Sequence, residues 1–85
     1  MMYRYEELKP KIFTEEGQEM FLRIRDNVNA LLKVAGVVQM QKAINGCTGD
    51  TWHMMACVDR LVELNEIREI KTDGAGQHRI FVATN

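Results

Sequence analysis

The stretch between Thr14 and Gly36 constrains the fold more than any other part of this sequence. Apolar side chains recur there every three or four residues, as they do along one face of an α-helix. Thr14 can cap such a helix, and Gly36 can end it in a left-handed conformation. The sequence therefore predicts one long amphipathic helix whose apolar face packs against other elements. The apolar positions are Met20, Phe21, Ile24, Val28, Leu31, Leu32 and Ala35.

Two shorter helices and a hairpin are predicted after this helix. Val37-Val38 is a β-prone pair, and a helix of barely two turns follows it and ends at Asn45-Gly46. Asp50, or alternatively Thr48, caps a third helix that closes near Asn65. Residues 67–72 and 78–83 are β-prone runs on either side of a glycine-rich turn, which predicts a β-hairpin. The buried stripe of the third helix consists of Met54, Val58, Leu61 and Val62.

Residues 1–13 mix aromatic and charged side chains without a clear period. We interpret them as an N-terminal arm that packs onto the domain or onto a second subunit, which leaves residues 14–85 as one folded domain. The chain has 85 residues, enough for a single hydrophobic core. It contains two cysteines, too few for a disulfide scaffold, and we recognise neither a signal peptide nor an apolar run that could span a bilayer. We expect a cytoplasmic protein.

The order of these elements resembles the winged helix-turn-helix superfamily. The resemblance runs from Leu31 to Val82, and its most specific part is the third helix with its exit, in which Met54, Val58, Leu61, Leu64, Asn65 and Ile67 are the matching positions. It implies an α+β fold in which three helices pack on a short antiparallel sheet formed by the hairpin and Val37-Val38. It also implies that the third helix enters the major groove of double-stranded DNA while the hairpin touches the backbone or the minor groove. On this hypothesis the chain is a transcriptional regulator that acts as a homodimer.

Helical geometry predicts which side chains would meet the DNA. If the Met54–Val58–Leu61 direction faces inward, then the opposite side of the helix carries Asp59 and Glu63 together with the residues that would contact DNA. His53 lies on the flank of that face, and the hairpin adds cationic side chains for phosphate contacts. The candidate nucleic-acid-binding residues are Trp52, His53, Ala56, Arg60, Arg68, Lys71, His78 and Arg79.

The distribution of charge argues against this hypothesis. The net charge of the chain is −1. Residues 50–66 contain four acidic residues and one cation, Arg60, whereas neutralisation of phosphates supplies most non-specific DNA affinity. The alternative is a protein-interaction or self-association module that uses the acidic face of the third helix around Trp52. Trp52 could instead fold back over the hydrophobic edge of helices two and three. A continuous positive band over this helix and the hairpin would favour DNA, and a negative or apolar surface would favour protein.

Catalytic and metal chemistry find little support in the sequence. It contains no serine, and no pair of acids has a spacing typical of acid–base catalysis. His53, Cys57, Cys47 and His78 match no familiar zinc spacing. Cys47 precedes a helix N-terminus, which could make its thiol sensitive to oxidants. The alternative is that Cys47 is an inert cysteine in a turn. We therefore expect no enzymatic activity, no cofactor, no metal, no small-molecule substrate and no membrane partner.

Overall fold

The structure, a computed structural model, describes residues 2–71 and 78–84. Its elements are α1 (Tyr5–Ile12), α2 (Glu15–Ala35), β1 (Val38–Gln39), α3 (Met40–Ala43), α4 (Thr51–Glu63), β2 (Ile67–Lys71) and β3 (Ile80–Ala83). The predicted α+β class is confirmed, with four helices in the described part of the chain instead of three. No helix there combines the length and the apolar character needed to cross a membrane.

Local capping determines where the two longer helices begin and end, as the sequence predicted. The Thr14 hydroxyl accepts a hydrogen bond from the Gly17 amide at 3.0 Å, and Gly36 ends α2 in the left-handed conformation with φ of 77°. The Asp50 carboxylate accepts from the Trp52 amide at 3.0 Å, so Asp50 and not Thr48 caps α4. Asn65 follows α4 with φ of 65°, a conformation that asparagine tolerates better than most residues.

The three strands form an antiparallel sheet in the order β1-β3-β2. The pairing of the hairpin with a strand after α2 was predicted, although β1 begins one residue later than the Val37-Val38 pair. Val38 lies opposite Phe81, and Arg68 lies opposite Val82. The register between β2 and β3 shifts between Glu69 and Lys71, which is a β-bulge. The predicted turn at residues 72–77 lies outside the described residues.

The N-terminal arm packs onto the domain, which is the first of its two predicted alternatives, and Tyr5–Ile12 within it form a helix that the sequence analysis did not predict. α1 packs against α4 and α2, and its Leu8 and Ile12 are buried in the core. Its two turns place apolar side chains at positions 5, 8 and 12, a helical spacing that Pro10 obscures because proline disfavours helix interiors. The arm therefore belongs to the folded domain.

α4 lies at the centre of the core, between α1 and α2, and also contacts α3 and β2. Six of its 13 residues are buried, and Met55, Ala56 and Cys57 are among them. The inward direction predicted from Met54, Val58 and Leu61 is confirmed, since all three are buried. A second side of the helix is buried too, because α1 covers it. The inner side of the sheet contributes Val38, Ile67 and Phe81 to this core.

Candidate partner-binding surface

The face of α4 opposite its predicted stripe is covered by α1, which corrects the placement of Ala56. Ala56 was expected to allow close approach of DNA, yet it has no exposed area. Tyr3, Tyr5 and Lys9 from the N-terminal segment bond instead to the two carboxylates on this face, Asp59 and Glu63. The acidic charge that looked unsuited to DNA therefore anchors the N-terminal helix.

Arg79 forms the main polar connection between α4 and the hairpin. Its guanidinium donates to both oxygens of Asp59, at 2.7 and 3.2 Å, and to both oxygens of Glu69, at 2.8 and 3.0 Å. The side chains of Arg79, Asp59 and Glu69 each have less than a fifth of their area exposed to solvent. The guanidinium carbon also lies 5.2 Å from the centre of the Phe81 ring. Hydrogen bonds to Glu69 and then Asp59 raise the pKa of Arg79 above its usual range. These four bonds occupy most of the donors that a phosphate would use.

Glu63 is the second hub on α4. It accepts hydrogen bonds from Lys9 at 2.8 Å, Tyr5 at 2.7 Å and Arg60 at 2.7 Å. These bonds, with the one from Lys9 as the largest cause, lower the pKa of Glu63 from 4.5 to about 2. Arg60 is further held by the ring of Phe13, whose centre lies 5.1 Å from the guanidinium carbon. Arg60 thus pairs with side chains of its own chain at the surface of the domain.

The lowered pKa of Glu63 predicts a specific acid sensitivity. Because the folded-state pKa lies below the unfolded value, the ionised carboxylate stabilises the fold above pH 4.5, and this stabilisation is lost as the pH falls toward 2. We expect the free energy of unfolding of Glu63→Gln to fall less steeply over that interval than that of the wild type, measured by urea unfolding at a series of pH values. Parallel curves for the two proteins would contradict the role of Glu63.

Trp52 and His53 lie at the start of α4 and are both half-buried. Trp52 packs against the core, and its ring centre lies 6.4 Å from that of Tyr3 in an edge-to-face arrangement. The indole thus folds back onto the domain, as the alternative interpretation of Trp52 expected, although that interpretation placed it over the edge of helices two and three and did not include Tyr3. The Nε2 atom of His53 is buried and has no hydrogen-bond partner within the described residues. Neither side chain stands out from the surface.

The hairpin carries the remaining predicted residues. Arg68 and His78 are exposed, and Lys71 ends β2, with its side chain outside the described part of the structure. Of the eight candidates, the structure thus presents Arg68 and His78 openly to solvent, buries Ala56 and engages Arg60 and Arg79 internally. The side chains are not brought together into one basic track among residues 2–71 and 78–84.

The outward side of the sheet is apolar, a feature that the sequence interpretation missed. Because Val38 and Phe81 point into the core, the strand alternation turns Val37, Gln39, Ile80 and Val82 to the other side. Arg68, opposite Val82, faces the same way, and Ile70 lies beside them at the bulge with 49% of its area exposed. We call these six residues the outer sheet face. The signal was present in the unbroken apolar run Ile80-Phe81-Val82-Ala83, which lacks polar alternation.

The cysteines are free, and only Cys47 retains solvent exposure. Burial, with a smaller contribution from Cys47, raises the pKa of the Cys57 thiol to about 12, so this thiol stays protonated at neutral pH. The side-chain amide of Asn27 donates to the Cys47 sulfur at 3.7 Å. In the described ranges, no three histidine, cysteine or acidic side chains are arranged to hold a metal ion.

Two shallow depressions mark the surface of α2. One is lined by Thr14, Glu15, Glu16 and Glu19, and the other lies between α2 and α3. The Thr14 hydroxyl in the first depression accepts from the Gly17 amide and donates to the Lys11 carbonyl, so its hydrogen bonds serve the start of α2. Comparisons with protein families, curated proteins and solved structures find no match to this chain.

Proposed function

We propose that this chain is a non-enzymatic protein-interaction module that binds its partner through the outer sheet face. The observation that carries the proposal is the apolar character of β3 on both sides. Strands covered on one side alternate apolar and polar residues, whereas strands covered on both sides are continuously apolar. The inner side of β3 meets the core through Phe81, whereas Ile80 and Val82 on its outer side are only half-buried. A partner would complete the burial that this pattern indicates.

The polar contacts of α4 support a structural role for that helix. In a reading helix of the winged type, cationic and amide side chains point away from the domain toward the groove. Here Asp59 and Glu63 point toward tyrosine, lysine and arginine side chains of the same chain. The protein hypothesis of the sequence analysis is therefore favoured, with the contact surface moved from α4 to the sheet. We place this activity in the cytoplasm, where free cysteines stay reduced.

A photo-cross-linking amino acid at position 70 tests this proposal. Ile70 is half-exposed in the outer sheet face, so this position tolerates the substitution and the probe faces any partner bound there. We expect irradiation of cells that express this variant to give discrete protein adducts, resolved by electrophoresis and identified by mass spectrometry. The same probe at Lys42, an exposed position on α3, serves as the matched control. Equal adduct patterns at the two positions, or none at position 70, would contradict the proposal.

Double-stranded DNA binding by a homodimeric transcriptional regulator is the second candidate. It is favoured by the order of elements from α2 to β3, which is the order of the winged helix-turn-helix resemblance, and by the exposed Arg68 and His78 of the hairpin. A single chain offers few phosphate contacts, so two copies would be needed. Titration with mixed-sequence duplex DNA at low and moderate salt decides this candidate. Micromolar binding with a clear salt dependence supports it, and no binding at low salt ends it.

A further inference from the structure

The charge of the outer sheet face indicates what kind of partner covers it. Arg68 is the charged residue among the described members of this face, and it lies directly opposite Val82. The nearest carboxylates along β2 are turned to other partners: Glu69 bonds to Arg79 on the inner side, and Glu66 bonds to Arg25 of α2 at 3.0 Å. The outer sheet face is therefore aliphatic with a positive edge.

The layer arrangement indicates the shape of that partner. The inner side of the sheet is covered by helices, since α4 contacts β2 and α2 contacts β1. Apolar sheet sides are commonly buried by helices, whose apolar stripe matches a small patch of branched side chains. Such a patch is formed by Val37 beside β1, Ile70 on β2, and Ile80 and Val82 on β3.

We infer that the outer sheet face binds an amphipathic helix of a partner protein that presents an aliphatic stripe flanked by carboxylates. This inference rests on the proposed function and specifies the partner's chemistry. The aliphatic stripe removes the exposed valine and isoleucine side chains from water, and a carboxylate beside the stripe pairs with Arg68. A helix with basic flanks would instead bring like charges together at the edge of the contact.

Two synthetic helical peptides test the inference with the full chain. Both carry the same leucine stripe at helical spacing, and they differ in having glutamate or lysine on its flanks. In fluorescence anisotropy titrations we expect the glutamate peptide to bind about fivefold to tenfold more tightly than the lysine peptide. This difference corresponds to one exposed ion pair with Arg68 in the first complex and one repulsion from Arg68 in the second. Arg68→Glu should reverse this preference. Lys42→Glu, which makes the same charge change on α3, should leave it unchanged.

Several results would overturn the inference. They are the absence of binding by the glutamate peptide, equal binding of both peptides, or a preference that persists in Arg68→Glu. Sedimentation velocity of the protein alone can also overturn it. If the sedimentation coefficient rises with concentration and Ile70→Ser abolishes the rise, a second copy of the chain covers this face. Protein adducts from the probe at position 70, combined with failure of the peptides, would leave the interaction module standing and reject only this partner.

Discussion

Replacing Arg79 with methionine is expected to lower the free energy of unfolding by about 2 to 3 kcal/mol. Removing one member of a buried ion pair costs about 3 to 5 kcal/mol because the remaining charge has no partner. The side chains of Asp59 and Glu69 keep 13% and 18% of their exposure, so water screens part of that cost. Methionine retains much of the aliphatic packing of arginine, which confines the effect to the guanidinium. Urea unfolding followed by circular dichroism measures it.

Two variants show whether the bonds of Arg79 cause the loss. Arg68→Met removes an exposed arginine from the neighbouring strand and should change stability by about 0.5 kcal/mol or less. Arg79→Lys keeps the charge but cannot bond to two carboxylates with one planar fork, so an intermediate loss is expected. If Arg79→Met and Arg68→Met cost the same, the link between α4 and the hairpin does not stabilise the fold.

Replacing Gly17 with alanine is expected to destabilise the domain by about 2 to 4 kcal/mol, the range of severe overpacking. In an open helix the same change stabilises by about 0.5 to 1 kcal/mol, because alanine loses less backbone entropy. At position 17 the added Cβ would lie 1.9 Å from the Lys11 carbonyl oxygen and 2.8 Å from backbone atoms of Ile12. These are backbone atoms, so α1 has to move away and uncover Leu8 and Ile12.

Gly36→Ala, at the C-terminal cap of the same helix, provides the matched control. Gly36 has φ of 77°, and an added Cβ would meet no atom within 4 Å. The cost there is backbone strain alone, about 1 to 2 kcal/mol. The unfolding midpoint of Gly17→Ala reports the steric displacement of α1, and that of Gly36→Ala reports the loss of the left-handed cap. A stability of Gly17→Ala equal to or above the wild type would mean that α1 does not dock tightly on α2.

Features governed by neighbouring residues could be predicted from the sequence. Thr14, Gly36, Asp50 and Asn65 define the ends of helices through their own side chains or conformations, and each lies where the pattern placed it. The resemblance predicted a sheet of the hairpin with Val37-Val38, but not which strand of the hairpin pairs with β1. The helix ends depend on interactions within a few residues along the chain, which periodicity and capping preferences describe well.

The burial of Ala56 could not be predicted in the same way. Periodicity identifies the most apolar direction of a helix, and a small alanine is compatible with a buried or an exposed side. The burial of Ala56 depends on the N-terminal segment, whose Tyr3 and Tyr5 lie 56 and 58 positions away from their partners Asp59 and Glu63. The acidic α4 was itself a signal, since carboxylates one turn apart on a buried helix require donors. The sequence did not indicate which side chains would donate hydrogen bonds to these carboxylates.

The bulge between Glu69 and Lys71 determines how a second polypeptide can approach the sheet. β2 is an edge strand, and the free amides and carbonyls of a regular edge would recruit another strand and extend the sheet without limit. The shifted register breaks that repeat within five residues, and the exposed Arg68 adds a charge beside it. Natural proteins use both devices against amyloid-like growth. This domain can therefore keep an apolar sheet surface in water while its edge resists aggregation.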